Sequence, residues 1–123
     1  MSETEPSAFR DRSVSYLQVP APDPERVADF YAAVFGWRTE ERPHGWSFSD
    51  GSGHVIGHFR SEASSAGELG VRPYVYVDDL DAALGRVREH GGEVVQAPYP
   101  EGDLTIATFR DPAGNVVGAW QRS

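Results

Sequence analysis

Two side chains, Tyr16 and Arg72, are the first candidates for chemistry in this chain. They stand 56 positions apart. A phenol can give or accept a proton at a reacting centre. A guanidinium is planar, always charged and forked, which suits it to a carboxylate, a phosphate or a developing enolate. Arg72 has a second reading, an internal ion pair, because 19 Asp and Glu residues offer partners. The four histidines are weaker candidates. His54 and His58 have the i, i+4 spacing that brings two ligands together on a helix. Here Gly53 and Gly57 flank them in a strand-like stretch, and four residues of strand span about 13 Å, too far for one ion. His90 falls at the end of a predicted helix, where a cation suits the dipole, and His44 falls in a turn. No Ser-His-Asp order or phosphate-binding glycine loop appears, and with no Cys there is neither a thiolate nucleophile nor a thiolate metal site.

The elements that must position Tyr16 and Arg72 form a repeat. Adding 56 to a position of the first half lands on its counterpart in the second: Tyr16 on Arg72, Asp23 on Asp79, Gly36 on Gly92. Residues 1 to about 12 are polar and aperiodic. Val14–Val19 alternates and is rich in strand formers. Pro20-Ala21-Pro22 ends that strand. Asp23 then reads as a helix N-cap with Pro24 at the first helical position. Val27, Phe30, Tyr31, Val34 and Phe35 form one helical face, and Gly36 stops the helix. Three strands are predicted near Trp37–Arg42, Gly45–Ser49 and His54–Phe59, divided by turn residues. Ser61–Gly70 reads as a linker. The order then recurs, with a strand at Arg72–Val77 and a helix capped by Asp79 that buries Leu80, Ala83, Leu84 and Val87. Gly91-Gly92 ends that helix. Three strands follow near Glu93–Gln96, Leu104–Phe109 and Asn115–Trp120, the last preceded by the turn Asp111-Pro112-Ala113-Gly114. The chain is thus one domain, 1–123, made of two tandem β-α-β-β-β modules, about 13–60 and about 71–122, joined by 61–70.

Composition narrows the partners. The net charge is −8 and every one of the 11 basic residues is Arg. Without a basic stripe the chain has no means of neutralising phosphates, which argues against nucleic acid and anionic membranes. No apolar run approaches a membrane span, and the N-terminus lacks the order of a signal peptide, so a cytoplasmic location is expected. Arginine without lysine, among many Ala and Gly, points to a GC-rich bacterial source.

Three groups of residues carry a resemblance to a known superfamily. They are Asp23-Pro24-Glu25-Arg26 with Phe30-Tyr31 and Phe35-Gly36-Trp37; Val77-Asp78-Asp79-Leu80 with Gly91-Gly92; and Asp111-Pro112-Ala113-Gly114-Asn115. In this order and spacing the chain resembles the vicinal oxygen chelate superfamily, which includes glyoxalase I, extradiol dioxygenases, bleomycin resistance proteins and fosfomycin-inactivating transferases. The resemblance implies an α+β fold in which the paired modules wrap an open, cupped eight-stranded mixed sheet, with the helices outside and the site in the cup. Metal-using members carry His, Glu, His and Glu on four strands. Carried over one by one, those positions are Tyr16, Gly57, Arg72 and Gly118. A guanidinium repels a divalent ion and two glycines supply no donor. No metal is therefore expected, and the metal-dependent activities do not carry over. The glycines leave room in the cup, or mark a kink.

Strand alternation places further residues beside those four positions. Val14, Tyr16 and Gln18 share one face, as do Val55, Gly57 and Phe59, then Arg72, Tyr74 and Tyr76, then Val116, Gly118 and Trp120. The predicted ligand-contacting set is Tyr16, Gln18, Trp46, Phe59, Arg72, Tyr74, Tyr76 and Trp120. Tyr99 lies in a stretch that reads as a loop able to lid the cup. The leading expectation is a metal-free small-molecule-binding protein of the glyoxalase/bleomycin resistance type, working as a homodimer, with Arg72 as an anion anchor and no cofactor. One alternative is a divergent lyase, isomerase or dioxygenase-like enzyme using Tyr16 and Arg72. The other is a structural or regulatory module with an empty cup.

Overall fold

The computed structural model describes residues 7–62 and 72–123. Of the predicted linker 61–70, all but residues 61 and 62 lie outside the described residues, as do residues 1–6 of the N-terminal stretch. The chain divides into two compact units, Met1–Ala63 and Ser64–Ser123. Each has the predicted β-α-β-β-β order. The first holds β1 (Tyr16–Pro20), α1 (Pro24–Phe35), β2 (Arg38–Arg42), β3 (Gly45–Ser49) and β4 (Ile56–Arg60). The second holds β5 (Tyr74–Tyr76), α2 (Leu80–Glu89), β6 (Glu93–Glu101), β7 (Leu104–Arg110) and β8 (Val116–Arg122). The α+β class stands, and the eight strands hydrogen-bond as two four-stranded mixed sheets, β1-β4-β3-β2 and β5-β8-β7-β6.

Local chemistry sets the helix ends. The Asp23 carboxylate accepts from the Arg26 N–H at 3.4 Å, and Asp79 accepts from Ala82 at 3.0 Å. Each satisfies a backbone donor that the first turn leaves without a partner. Gly36 closes α1 in the left-handed conformation at φ 70°. α2 ends at Glu89 with His90 as its C-cap, just before the predicted glycines, and Gly91 takes the positive φ. The first N–H of α2 also donates to the Gln121 side chain at 2.6 Å, which ties the helix start to β8.

Each sheet buries one face under its helix. In the first unit α1 lies on β2, β3 and β4. The layer between them is a run of aromatic rings. Tyr31 stacks on Trp37 at 4.5 Å, Trp37 on Phe48 at 4.9 Å, and Phe48 meets Phe59 at 4.9 Å. In the second unit Leu80, Ala83, Leu84 and Val87 are buried, as are Ala107, Phe109 and Ala119 of the strands beneath. Register decides which residues face away from the helices. β1 and β4 run parallel with Tyr16 beside Ile56, Leu17 beside Gly57, Gln18 beside His58 and Val19 beside Phe59. β3 runs antiparallel to β4 with Trp46 opposite Phe59, Ser47 opposite His58 and Phe48 opposite Gly57.

This register corrects part of the predicted cup face. Phe59 is 1% exposed and stacks with Tyr31 of α1, so β4 turns Gly57 and Phe59 toward the helix. Trp46, paired with Phe59, shares that side. The predicted strand began at His54, whereas β4 begins at Ile56. That two-residue shift keeps the alternation. The faces are inverted because the ligand position was carried onto Gly57, one residue short of the outward His58, a slip that inverts a whole strand. Arg72 lies ahead of the three-residue β5, outside the strand predicted to carry it. Tyr99 lies within β6, so the stretch predicted as a loop is strand, with pairing irregularities between Val94 and Tyr99.

Candidate functional site

The face of the first sheet turned away from α1 carries Tyr16 and Gln18 from β1, Ile56 and His58 from β4, Ser47 and Ser49 from β3, and Arg38 and Glu40 from β2. Small serines on the central strand stand between larger side chains on its neighbours. The result is an open hollow of about 840 Å³, lined in part by Tyr16, Arg38, Ser47, Ser49 and His58. That volume falls within the range of small-molecule sites. Tyr16 is 53% exposed and Ile56 is 38% exposed, so this face is accessible where the opposite face buries Phe48 and Phe59.

Partners within the hollow are unevenly distributed. Glu40 and Arg42 pair at 2.9 Å. The Ser47 hydroxyl reaches the Glu40 carbonyl oxygen at 3.5 Å. Gln18 accepts from Arg60 at 3.1 Å, and Arg60 also holds Glu62 at 2.8 Å. The hydrogen bond from Arg60 is the main reason the Glu62 carboxyl sits below its ordinary value. By contrast, the Tyr16 hydroxyl, the Ser49 hydroxyl, the His58 ring and the Arg38 guanidinium make no hydrogen bond or ion pair among the described residues. The His58 ring is placed by contact instead. It lies against Gly45, where a Cβ would sit 3.0 Å from its Cε1.

The second sheet has its own aromatic face. Tyr74 pairs with Gly118 and Tyr76 with Trp120 in parallel register. Tyr74 is 42% and Tyr76 46% exposed, and the Tyr76 and Trp120 rings meet edge to face at 4.9 Å. Three of the predicted contact residues thus share one face of the second unit, while Tyr16 and Gln18 share the hollowed face of the first.

The two glycines at the superfamily's ligand positions have structural neighbours that the strand reading missed. At Gly57 a Cβ would lie 2.2 Å from the Phe48 ring and 2.3 Å from the Leu17 carbonyl oxygen. At Gly118 it would lie 2.2 Å from the Tyr74 ring. Each glycine gives its space to an aromatic ring. Gly57 also faces the helix side, and the repeat shows which residue holds the corresponding outward position. His58 lies beside Gln18 as Gly118 lies beside Tyr74, and Gln18 and Tyr74 are themselves 56 positions apart. The counterpart of Gly118 in the first unit is therefore His58. Sequence reasoning placed His58 opposite Gly57 but did not take that side as the open one. The signal was present in the chain: Ile56, His58 and Arg60 alternate with Gly57 and the bulky Phe59. Among the described residues no three His, Cys, Asp or Glu side chains group so as to hold a metal ion. His58 is accompanied on this face by Tyr16, Gln18 and Ser47.

The family model for a glyoxalase-like domain matches residues 16–118. The chain belongs to the glyoxalase-like family. Its relatives include CFP32 of Mycobacterium bovis, 28% identical over 94% of this chain and 48% of that protein. The anthracycline biosynthesis protein DnrV of Streptomyces peucetius is 26% identical over 93% of this chain and 48% of its own length. The glyoxalase-like chain thus spans about half the length of these relatives. Among solved structures, TnmS3, an antibiotic-binding protein from Streptomyces sp. CB03234, superposes with a TM-score of 0.72 at 27% identity, over 90% of this chain and 96% of that one. Among the described residues no helix is long and apolar enough to cross a membrane.

Proposed function

We propose that this glyoxalase-like chain is a metal-free small-molecule-binding protein whose ligand is a planar aromatic compound of the antibiotic type, and that it works as a homodimer. The observation carrying this reading is the hollow on the first sheet. Among the described residues its Tyr16, Ser49, His58 and Arg38 side chains make no hydrogen bond or ion pair, and Tyr16 offers an exposed ring beside the other three. An aromatic wall with a few placed polar groups is the usual make-up of a small-molecule site, and ring stacking adds specific geometry to burial. The antibiotic-binding TnmS3 and the biosynthetic DnrV support this ligand class. Arg72, half-buried ahead of β5, is proposed as an anion anchor.

The test is titration with an anthracycline followed by tryptophan fluorescence and calorimetry. Saturable binding by the wild type, weakened about tenfold or more in Tyr16→Ala at an unchanged melting temperature, is expected; a tenfold loss corresponds to about 1.4 kcal/mol. Equal binding by both proteins removes Tyr16 from the site. Arg72→Ala separates an anchor from an internal ion pair. Lost binding at unchanged stability supports the anchor, and lost stability alone assigns Arg72 to the fold. Metal content after incubation with Zn²⁺, Ni²⁺, Mn²⁺ and Fe²⁺ is expected to show no retained ion, and about one ion per chain overturns the metal-free reading.

A further inference from the structure

We infer that the hollow on the first sheet receives the anionic group of an aromatic ligand, a carboxylate or its equivalent, through Arg38 and His58. The inference rests on the small-molecule-binding reading and names the chemistry that the site selects. Its starting point is an inversion of charge. The whole chain carries a net charge of −8, yet the hollow is lined by Arg38, Arg42, His44 and His58 against the single carboxylate of Glu40. Glu40 is already paired with Arg42 at 2.9 Å, so that pair cancels internally. What remains is a cation and two imidazoles. Arg38 makes no ion pair or hydrogen bond among the described residues, in a chain where Arg42, Arg60 and Arg110 all hold carboxylates.

The register supplies the geometry. Arg38 stands opposite Ser49, Ser49 opposite Ile56, and Ile56 beside Tyr16. These four positions form one row across the sheet, with Glu40, Ser47, His58 and Gln18 in the next row, where Glu40 is held by Arg42. Both rows point away from α1. A carboxylate lying over Ser49 therefore has a guanidinium at one end of its row, a serine hydroxyl beneath it, an imidazole in the adjacent row and the Tyr16 ring at the far end. Ser49, His58 and Tyr16 all carry donors that no group among the described residues satisfies. Gly45 helps to place the imidazole, since its lack of a side chain admits the His58 ring. A guanidinium suits a carboxylate by its fork, and a hydrogen bond to a charged group is about twice as strong as a neutral one.

The experiment uses three naphthalene probes of matched shape: 2-naphthoate, its neutral carboxamide and the cationic 2-naphthylmethylammonium. Binding of each to the full chain is measured by calorimetry. The expected order is naphthoate, then carboxamide, then ammonium, with about tenfold between the first two, the factor a charge-assisted hydrogen bond supplies. Arg38→Gln and His58→Gln are expected to remove that preference, bringing naphthoate binding down to the level of the carboxamide. Arg88→Ala, an exposed arginine on α2, is expected to change neither. Equal binding of all three probes by the wild type overturns the anion inference and leaves the small-molecule reading standing. A preference for naphthoate that survives both glutamine variants also overturns it. Failure of every probe to bind overturns both readings.

Discussion

At the scale of single residues, the two glycines that the sequence assigned to ligand positions have different mechanical settings. Phe48 is 4% exposed and locked in the aromatic layer, and the Leu17 carbonyl beside Gly57 is backbone. Neither can yield to a new methyl group. Gly57→Ala is therefore expected to destabilise the fold by about 1–3 kcal/mol, the usual cost of overpacking. The neighbour of Gly118 is the ring of Tyr74, which is 42% exposed and can swing outward. Gly118→Ala is expected to cost less than Gly57→Ala in urea unfolding, and to disturb the Tyr74 contact with ligands. Equal losses would show that Tyr74 is as firmly held as Phe48. A glycine has no side chain to declare its face, which is why Gly57 was misplaced in the sequence reading. Phe59 is no better a guide, because an aromatic ring suits a ligand cup or a core equally well. His58 was legible in principle. Alternation through Ile56, His58 and Arg60 marks a polar side, and placing the ligand position on Gly57 assigned the open side to the wrong set.

At the scale of elements, the features readable from sequence were those governed by local rules. The caps at Asp23 and Asp79 and the stop at Gly36 stand where predicted, because capping depends on a few adjacent residues. The turn before β8 is of the same kind. Asp111 is 3% exposed, and its carboxylate accepts from the Ala113 and Asn115 backbone N–H groups at 2.9 Å each and from the Asn115 side chain at 2.8 Å. Asp111→Ala leaves those donors without that acceptor. It is expected to lower stability by about 1–3 kcal/mol, the cost of stranding a buried polar group. Asp111→Asn is expected to recover part of that loss, since its amide keeps one acceptor oxygen. Urea melts of the three proteins check the order, and an unchanged midpoint in the alanine variant would show that water replaces the carboxylate. Features set by pairing were less legible. Pairing register depends on partners far along the chain, so the length of β6, the position of Tyr99 within it and the shortness of β5 did not follow from local pattern.

At the scale of the whole molecule, net charge and local charge oppose one another, and the opposition has a kinetic consequence. A net charge of −8 repels an approaching anion at long range. Arg38 attracts it only within a few ångströms of the hollow. Salt screens these two effects unequally, because the Debye length falls from about 30 Å at 0.01 M to about 8 Å at 0.15 M. The distant repulsion is removed first, while the short-range contact persists. The association rate of 2-naphthoate is therefore expected to rise with ionic strength over this range, and that of 2-naphthylmethylammonium to fall. Stopped-flow measurement of naphthalene fluorescence checks both signs. In Arg38→Gln the naphthoate rate is expected to keep its rising dependence while dissociation becomes faster, because the substitution deletes the contact and leaves the global field almost unchanged. A naphthoate association rate that falls with salt in the wild type would mean that the cationic lining governs approach as well as retention. The hollow would then steer its ligand in against the charge of the molecule that carries it.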